Sequence, residues 1–170
     1  MNYEELLSVA SSLSDHGKRV TEIEPSIKEA LSTPSEYPFL EIGNREGGSA
    51  ILTMWYVAQE NKRRGFETCD VSEQSRNIAE YVQKFDINYL GHNKQPQFDF
   101  VRHNERIYGF IYLDAEHGYE KVKDDLNILK EFVCSGGIIA IDDVEDWPDL
   151  PYIEGMELVL YNVDQGEKVS

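Results

Sequence analysis

Basic side chains are scarce in this sequence: its 170 residues carry 16 Lys and Arg against 32 Asp and Glu, a formal charge of −16. Recognition of a phosphate backbone needs a basic footprint, and none is visible, so nucleic acid is not an expected partner. Cysteine is rarer still. Cys69 and Cys134 are too few for a disulfide framework and too distant for a zinc spacing, which fits two reduced, buried thiols in a cytoplasmic protein. No apolar run reaches membrane-spanning length, and Met1 to Leu13 has neither a basic start nor a continuous apolar stretch, so neither a membrane partner nor a secretory leader is expected. Internal repeats and low-complexity tracts are missing too. What is there is 41% hydrophobic, with aromatics throughout, enough for one domain with its own core and too little for two. The acid excess reads first as solubility.

Taken in order, Tyr3, Leu6, Leu7, Ala10 and Leu13 recur at helical spacing and predict an amphipathic helix ending near residues 15–17. Pro25 starts a short helix over 26–31, so residues 1–36 form a helical cap. A core over 37–146 follows. The spacing predicts strands over 37–42, 65–70, 86–90, 107–113 and 138–141, with Gly91, His92 and Asn93 as a turn closing the third. Helices are expected over 48–59, over 73–84 with Ser72 as cap, as a helical turn over 96–103, and over 119–132 with Ser135, Gly136 and Gly137 as its stop. Lys62, Arg63 and Arg64 suit the negative end of the first core helix, the alternative being a phosphate patch. Residues 147–170 supply terminal strands: 156–162 after a loop with Trp147, Pro148 and Pro151, then at most a turn and a short last strand.

Strands alternating with helices predict an α/β domain with a doubly wound, mostly parallel sheet. In such sheets ligands lie beyond the carboxyl ends of the strands. Glu41, Asp70, Asp114, Asp142 and Asp143 all fall at or just past those ends. Gly43, Gly47, Gly48 and Ser49 form a strand-to-helix turn of the kind that lets a backbone approach a nucleotide-like ligand, or an ordinary turn. Carboxylates gathered at one rim favour a counter-charge, and Mg2+ is a sensible one. Asp70 can equally cap a helix, Asp114 order a loop, and Asp142 with Asp143 shape a turn. Tyr112 and Tyr119 read as core.

Glu41-Ile42-Gly43 with Gly47-Gly48-Ser49, then Asp114-Ala115-Glu116-His117-Gly118-Tyr119, then Gly136-Gly137 through Asp142-Asp143, resemble class I S-adenosylmethionine-dependent methyltransferases. The resemblance is to the small-molecule O-methyltransferase group with a D-x-x-H-x-Y segment and a GG…DD segment, and it covers roughly 37–146. It implies a Rossmann-like methyltransferase fold, with a final antiparallel strand here shortened or missing. It also implies S-adenosylmethionine as cofactor, a small-molecule hydroxyl as methyl acceptor, and an assisting metal. Gly43, Gly47 and Ser49 would line the methionine part of the cofactor, with Glu41 on its ammonium. Asp70 would hold the ribose and the turn at His92 and Asn93 the adenine. Asp114, Asp142 and Asp143 would be metal ligands, Asp114 also touching cofactor and acceptor, and His117 a base or substrate contact. A homodimer is compatible with the shortened end, as is an inactive methyltransferase-like partner module. A nicotinamide dehydrogenase would want a tighter G-x-G-x-x-G turn than Gly43 to Gly47 supplies.

Overall fold

The computed structural model describes residues 1–14, 19–60, 63–115, 118–144, 159–163 and 167–169. Seven strands form one sheet: β1 (Phe39–Ile42), β2 (Gly65–Asp70), β3 (Asn88–Lys94), β4 (Tyr108–Leu113), β5 (Val133–Ile141), β6 (Val159–Asn162) and β7 (Glu167–Val169). Their order is β3-β2-β1-β4-β5-β6-β7, parallel throughout except for β7, which runs antiparallel to β6. The last antiparallel strand is therefore present, three residues long, at the sheet edge.

The helices are α1 (Tyr3–Ser12), α2 (Glu24–Ala30), α3 (Gly48–Gln59), α4 (Arg76–Phe85), α5 (Gln97–His103) and α6 (Tyr119–Leu129). Alternating strand residues sort them to two faces. Phe39, Phe110, Tyr112, Ile138 and Ala140 pack with α1 to α4, and the helical cap belongs to this core through Leu6, Ala10, Ile23 and Ile27. Leu40, Ile42, Ile111, Leu113, Ile139 and Ile141 pack with α5 and α6 on the opposite face. Both faces are covered, and the sheet is doubly wound.

Several expected boundaries move, each for a local reason. The helix expected from residue 73 starts at Arg76, because Ser75 rather than Ser72 accepts the first amide, that of Asn77, while the Ser72 amide goes to Asp70. The turn expected at Gly91, His92 and Asn93 is strand. β3 runs on through them beside β2 after a register shift at Phe66/Glu67, and Asp86, expected in the strand, is the left-handed cap of α4. The glycines expected to stop the helix at 132 lie inside β5, where the register against β4 shifts and Gly136 takes a φ of 73°. Trp147, Pro148 and Pro151 lie outside the described residues.

Of the basic cluster after α3, Lys62 lies outside the described residues, and Arg64 is neither a dipole cap nor part of a phosphate patch. Arg64 is 0% exposed. Its guanidinium bonds Glu60, the Thr33 hydroxyl and the carbonyls of Thr33, Pro34 and Tyr37, and lies 4.5 Å over the Phe39 ring. Arg64 thus ties the end of α2 to the start of β1.

Candidate cofactor and acceptor site

The switch point of the sheet lies between β1 and β4, whose next connections leave in opposite directions. There the backbone is crowded. Gly43 has a φ of 87°, and a Cβ on it would stand 2.0 Å from the Asp114 carbonyl oxygen. Gly47 has a φ of 94°, and its Cβ would meet the Ile78 side chain at 2.6 Å. Only glycine fits at either position.

Two carboxylates hold the turn between them. Asp70 Oδ2 accepts the Asn44 and Arg45 amides at 3.0 Å each, and Oδ1 accepts the Ser72 amide at 2.8 Å. Glu41 Oε1 accepts the Ser49 hydroxyl at 2.7 Å, fastening the start of α3 to the end of β1. Its other oxygen, Oε2, is buried without a partner.

Two cavities flank this turn. One, of about 440 Å³, is walled by Asp70, Val71, Gln95, Pro96, Gln97 and Phe98 among others. The second, of about 500 Å³, is walled by Asn44, Ser49, Tyr112, Asp142 and Asp143 together with the apolar Leu13 and Val20. Gly43, Arg45, Ser72 and Asp114 belong to both walls.

The site residues expected from sequence separate accordingly. Gly43 and Ser49 line the second cavity, Asp70 the first, Asp114 both, and Asp142 with Asp143 the second. Gly47 and Glu41 line neither, and act on the turn from behind it. His92 and Asn93 line neither as well: His92 bonds the Thr68 hydroxyl and the Ser72 carbonyl, and Asn93 donates to Glu67. The cavity wall expected there comes instead from Val71 and 95–98. His117 lies outside the described residues. Sequence reading missed Asn44. Tyr112 is core as expected, and its hydroxyl in addition donates to Asp142 Oδ2 at 3.0 Å and lies 3.4 Å from Asp114 Oδ2. Alternation held the signal: Tyr112 faces away from Leu113, with its polar tip beside two strand-end acids.

Burial, reinforced by Asp142 and Asp143, pushes the Asp114 carboxyl up to about 8 despite Arg45 nearby. Burial likewise pushes Glu41 up to about 8, with Asp114 and Asp70 adding to it against the Ser49 bond. Asp70 goes the other way: burial opposes its charge, but the amides of Ser72, Arg45 and Asn44 outweigh that and lower it. The same fork separates metal from non-metal readings. Asp142 Oδ1 accepts the Asp143 amide and Oδ2 the Tyr112 hydroxyl. Among the described residues no three His, Cys, Asp or Glu groups gather in a metal-holding arrangement. Among the described residues, Asp114, Asp142 and Asp143 do not form a preformed metal site.

The raised carboxyls make a prediction about stability. Glu41 and Asp114 hold protons in the folded state that the unfolded chain releases between about pH 4 and pH 8, so folding stability falls as pH rises through that window. The thermal midpoint of the ligand-free protein should drop between about pH 5 and about pH 9, and Glu41→Gln, a neutral stand-in, should make the drop shallower. Melting curves across pH check it; a Gln variant with the wild-type slope would exclude Glu41 as a source.

A family model described as "Methyltransferase domain" matches residues 40–144. An uncharacterized protein of Acanthamoeba polyphaga mimivirus is 28% identical over 127 residues, covering 68% of this chain and 55% of that one. The chain thus spans about half the length of that curated relative. Among solved structures, a candidate O-methyltransferase from Klebsiella pneumoniae aligns with a TM-score of 0.56 at 15% identity, covering 96% of this chain and 72% of that one. A coclaurine N-methyltransferase bound to N-methylheliamine and SAH aligns with a TM-score of 0.49 at 17% identity, over 71% of this chain and 34% of that one. No described helix is long and apolar enough to cross a membrane. With the family model spanning more than half its length, and a doubly wound, mostly parallel sheet, this chain belongs to the class I S-adenosylmethionine-dependent methyltransferases.

Proposed function

We propose that this chain binds S-adenosylmethionine across the ends of β1, β2 and β4 and directs its methyl group to a hydroxyl of a small molecule. The observation that carries the reading is the shared wall: two cavities of about 440 and 500 Å³ meet at Gly43, Arg45, Ser72 and Asp114. Methyl transfer needs two reactants held close and in line, which two adjoining cavities can provide. The first chamber takes adenosine. Asp70 already accepts three amides yet keeps lone-pair capacity for a ribose hydroxyl, and Val71 and Phe98 offer apolar surface to the base. The methionine end passes over Gly43 towards Ser49 in the second chamber. There the acceptor lies between the apolar side at Leu13 and Val20 and the acids at Asp114 and Asp142.

When bound, the cofactor supplies a methyl group made electrophilic by its sulfonium. The residues of the chain supply position and a proton acceptor. Asp114, raised to about 8 by burial and its acidic neighbours, gains a cation beside it, which favours the ionised form and equips it to take the acceptor's proton. Tyr112 holds the Asp142 carboxylate through its hydroxyl. His117 is a second proton acceptor in the same reading. No step runs through a metal.

Calorimetric titration with S-adenosylmethionine and S-adenosylhomocysteine tests the cofactor, and release of the latter against a panel of hydroxylated small molecules tests the acceptor. Micromolar binding of both nucleosides is the expected result. Binding of neither would overturn the proposal and leave a methyltransferase-like partner module.

A further inference from the structure

His92, half-buried on β3, lines neither cavity, yet both nitrogens of its ring are engaged. Nε2 lies 2.9 Å from the Ser72 carbonyl oxygen and Nδ1 lies 3.0 Å from the Thr68 hydroxyl. A carbonyl can only accept, so Nε2 carries a hydrogen and donates it, whichever charge the ring bears. Thr68 is fully buried and stands beside His92 across the β2–β3 pairing. Its hydroxyl also shares a hydrogen with the Tyr89 hydroxyl at 2.5 Å. These hydroxyls fix the angle of the ring, and the ring in turn aims Nε2 at Ser72.

The two residues so held bracket Asp70 in the chain, one before it and one after. Strand pairing needs no such tie, because the β2–β3 ladder ends at Asp70 and Ser72 lies beyond it. The Asp70 carbonyl is held from the same side, accepting the Gln95 amide at 3.0 Å. Lys94, on the His92 side of β3, adds an ion pair to Glu73, but both side chains are exposed and the pair is weak. Ser72 is where the hold reaches the site. Its carbonyl is on His92, its amide is on Asp70 Oδ1 at 2.8 Å, and it belongs to the walls of both cavities. Once the carbonyl is released, residue 72 is free to turn and its amide to leave Oδ1. The carboxylate then keeps only the Asn44 and Arg45 amides, both on Oδ2, and can pivot about that oxygen.

We propose that His92 is a positioning residue for the ribose of the cofactor. By holding Ser72 from Nε2 and Thr68 from Nδ1, it sets the angle at which Asp70 meets the ribose hydroxyls. The inference rests on the cofactor reading of the preceding section and adds to it a residue that touches no ligand.

Two variants divide the ring between them. In His92→Gln the amide reaches as far as Nε2 and keeps a donor for the Ser72 carbonyl. In His92→Asn it reaches only as far as Nδ1 and keeps a partner for Thr68. Calorimetry on the full chain measures affinity for S-adenosylhomocysteine and for its 2′,3′-dideoxy analogue, which offers Asp70 no hydroxyl. The wild-type chain should prefer the hydroxylated compound. His92→Asn should lose about three- to tenfold of that preference, with the dideoxy affinity changed by less than about twofold, and His92→Gln should keep it. Each preference is a ratio within one variant, so a partly unfolded fraction cancels, and a role confined to stability leaves the ratio unmoved. An unchanged preference in His92→Asn, or equal losses in both variants, overturns the role of His92 while the cofactor reading stands. Equal wild-type affinity for the two compounds overturns it as well. Failure of the wild-type chain to bind S-adenosylmethionine or S-adenosylhomocysteine overturns the cofactor reading itself.

Discussion

Arg64→Met should destabilise the domain by about 3–5 kcal/mol, a large share of the roughly 5–15 kcal/mol that holds an ordinary domain together. Exchanging a buried ion pair for hydrophobic residues is often harmless when both partners are replaced. That escape is closed here, because most partners of Arg64 are backbone. With the guanidinium gone, the buried carbonyl of Thr33 and the part-buried carbonyls of Pro34 and Tyr37 lose their donor. Glu60 loses its cation as well. Lysine reaches the same spot with one compact ammonium and cannot match the fork, so Arg64→Lys should fall between. Urea unfolding decides the matter; a Met variant with the wild-type midpoint would remove Arg64 from the list of residues the fold depends on. Gly109 belongs to the same arrangement. A Cβ there would lie 2.4 Å from the Thr33 hydroxyl and 3.1 Å from Arg64 Nη1, so β4 carries a glycine where the fork passes.

Gly43→Ala should abolish cofactor binding and lower the melting temperature sharply. Its methyl would stand 2.0 Å from a backbone oxygen of Asp114 that paired strands hold in place, and the positive φ adds its own strain. Either β1 and β4 part at their ends or the turn moves out of the Asp70 carboxylate, and both outcomes dismantle the wall between the cavities. Gly136→Ala is the matched control. Its φ of 73° is as unfavourable for alanine, but nothing lies within 4 Å of the added carbon, so it should lose only about 1–2 kcal/mol and leave binding intact. Melting curves and titrations with S-adenosylhomocysteine on both variants separate crowding from backbone strain. Equal behaviour of the two would refute the crowding argument.

The parts of this fold that could be read from sequence are those where one local signal suffices. The helix over Gly48–Gln59 and the strand over Gly65–Asp70 appear where periodicity and their flanking residues put them. The third and fifth strands were misjudged at glycines. Gly91 and Gly136 punctuate turns in most chains, but here each sits within a strand where the pairing shifts, and only the neighbouring strand reveals that. Arg64 was misread because sequence shows a charge and not the carbonyls awaiting it across 27 to 31 residues of chain. The site divides in the same way. Acids at strand ends are visible from the α/β pattern, but whether a given acid faces a cavity or supports the loop depends on side-chain direction. Asp70 does both, while Glu41 supports and lines neither cavity. Asn44 carried no signal beyond its place between glycines, since lining a cavity is a property of surroundings.

The turn fastened by Asp70 at one end and by Glu41 through Ser49 at the other has a dynamic consequence. A cradle with its amides already tied has little motion left to surrender when a guest arrives, so ordering entropy takes only a small part of the binding free energy. Association would then proceed as the meeting of two rigid partners, limited by encounter and not by a loop closing. Glu41, one of the two carboxylates that shape the turn, would then govern how fast the site fills while lining neither cavity.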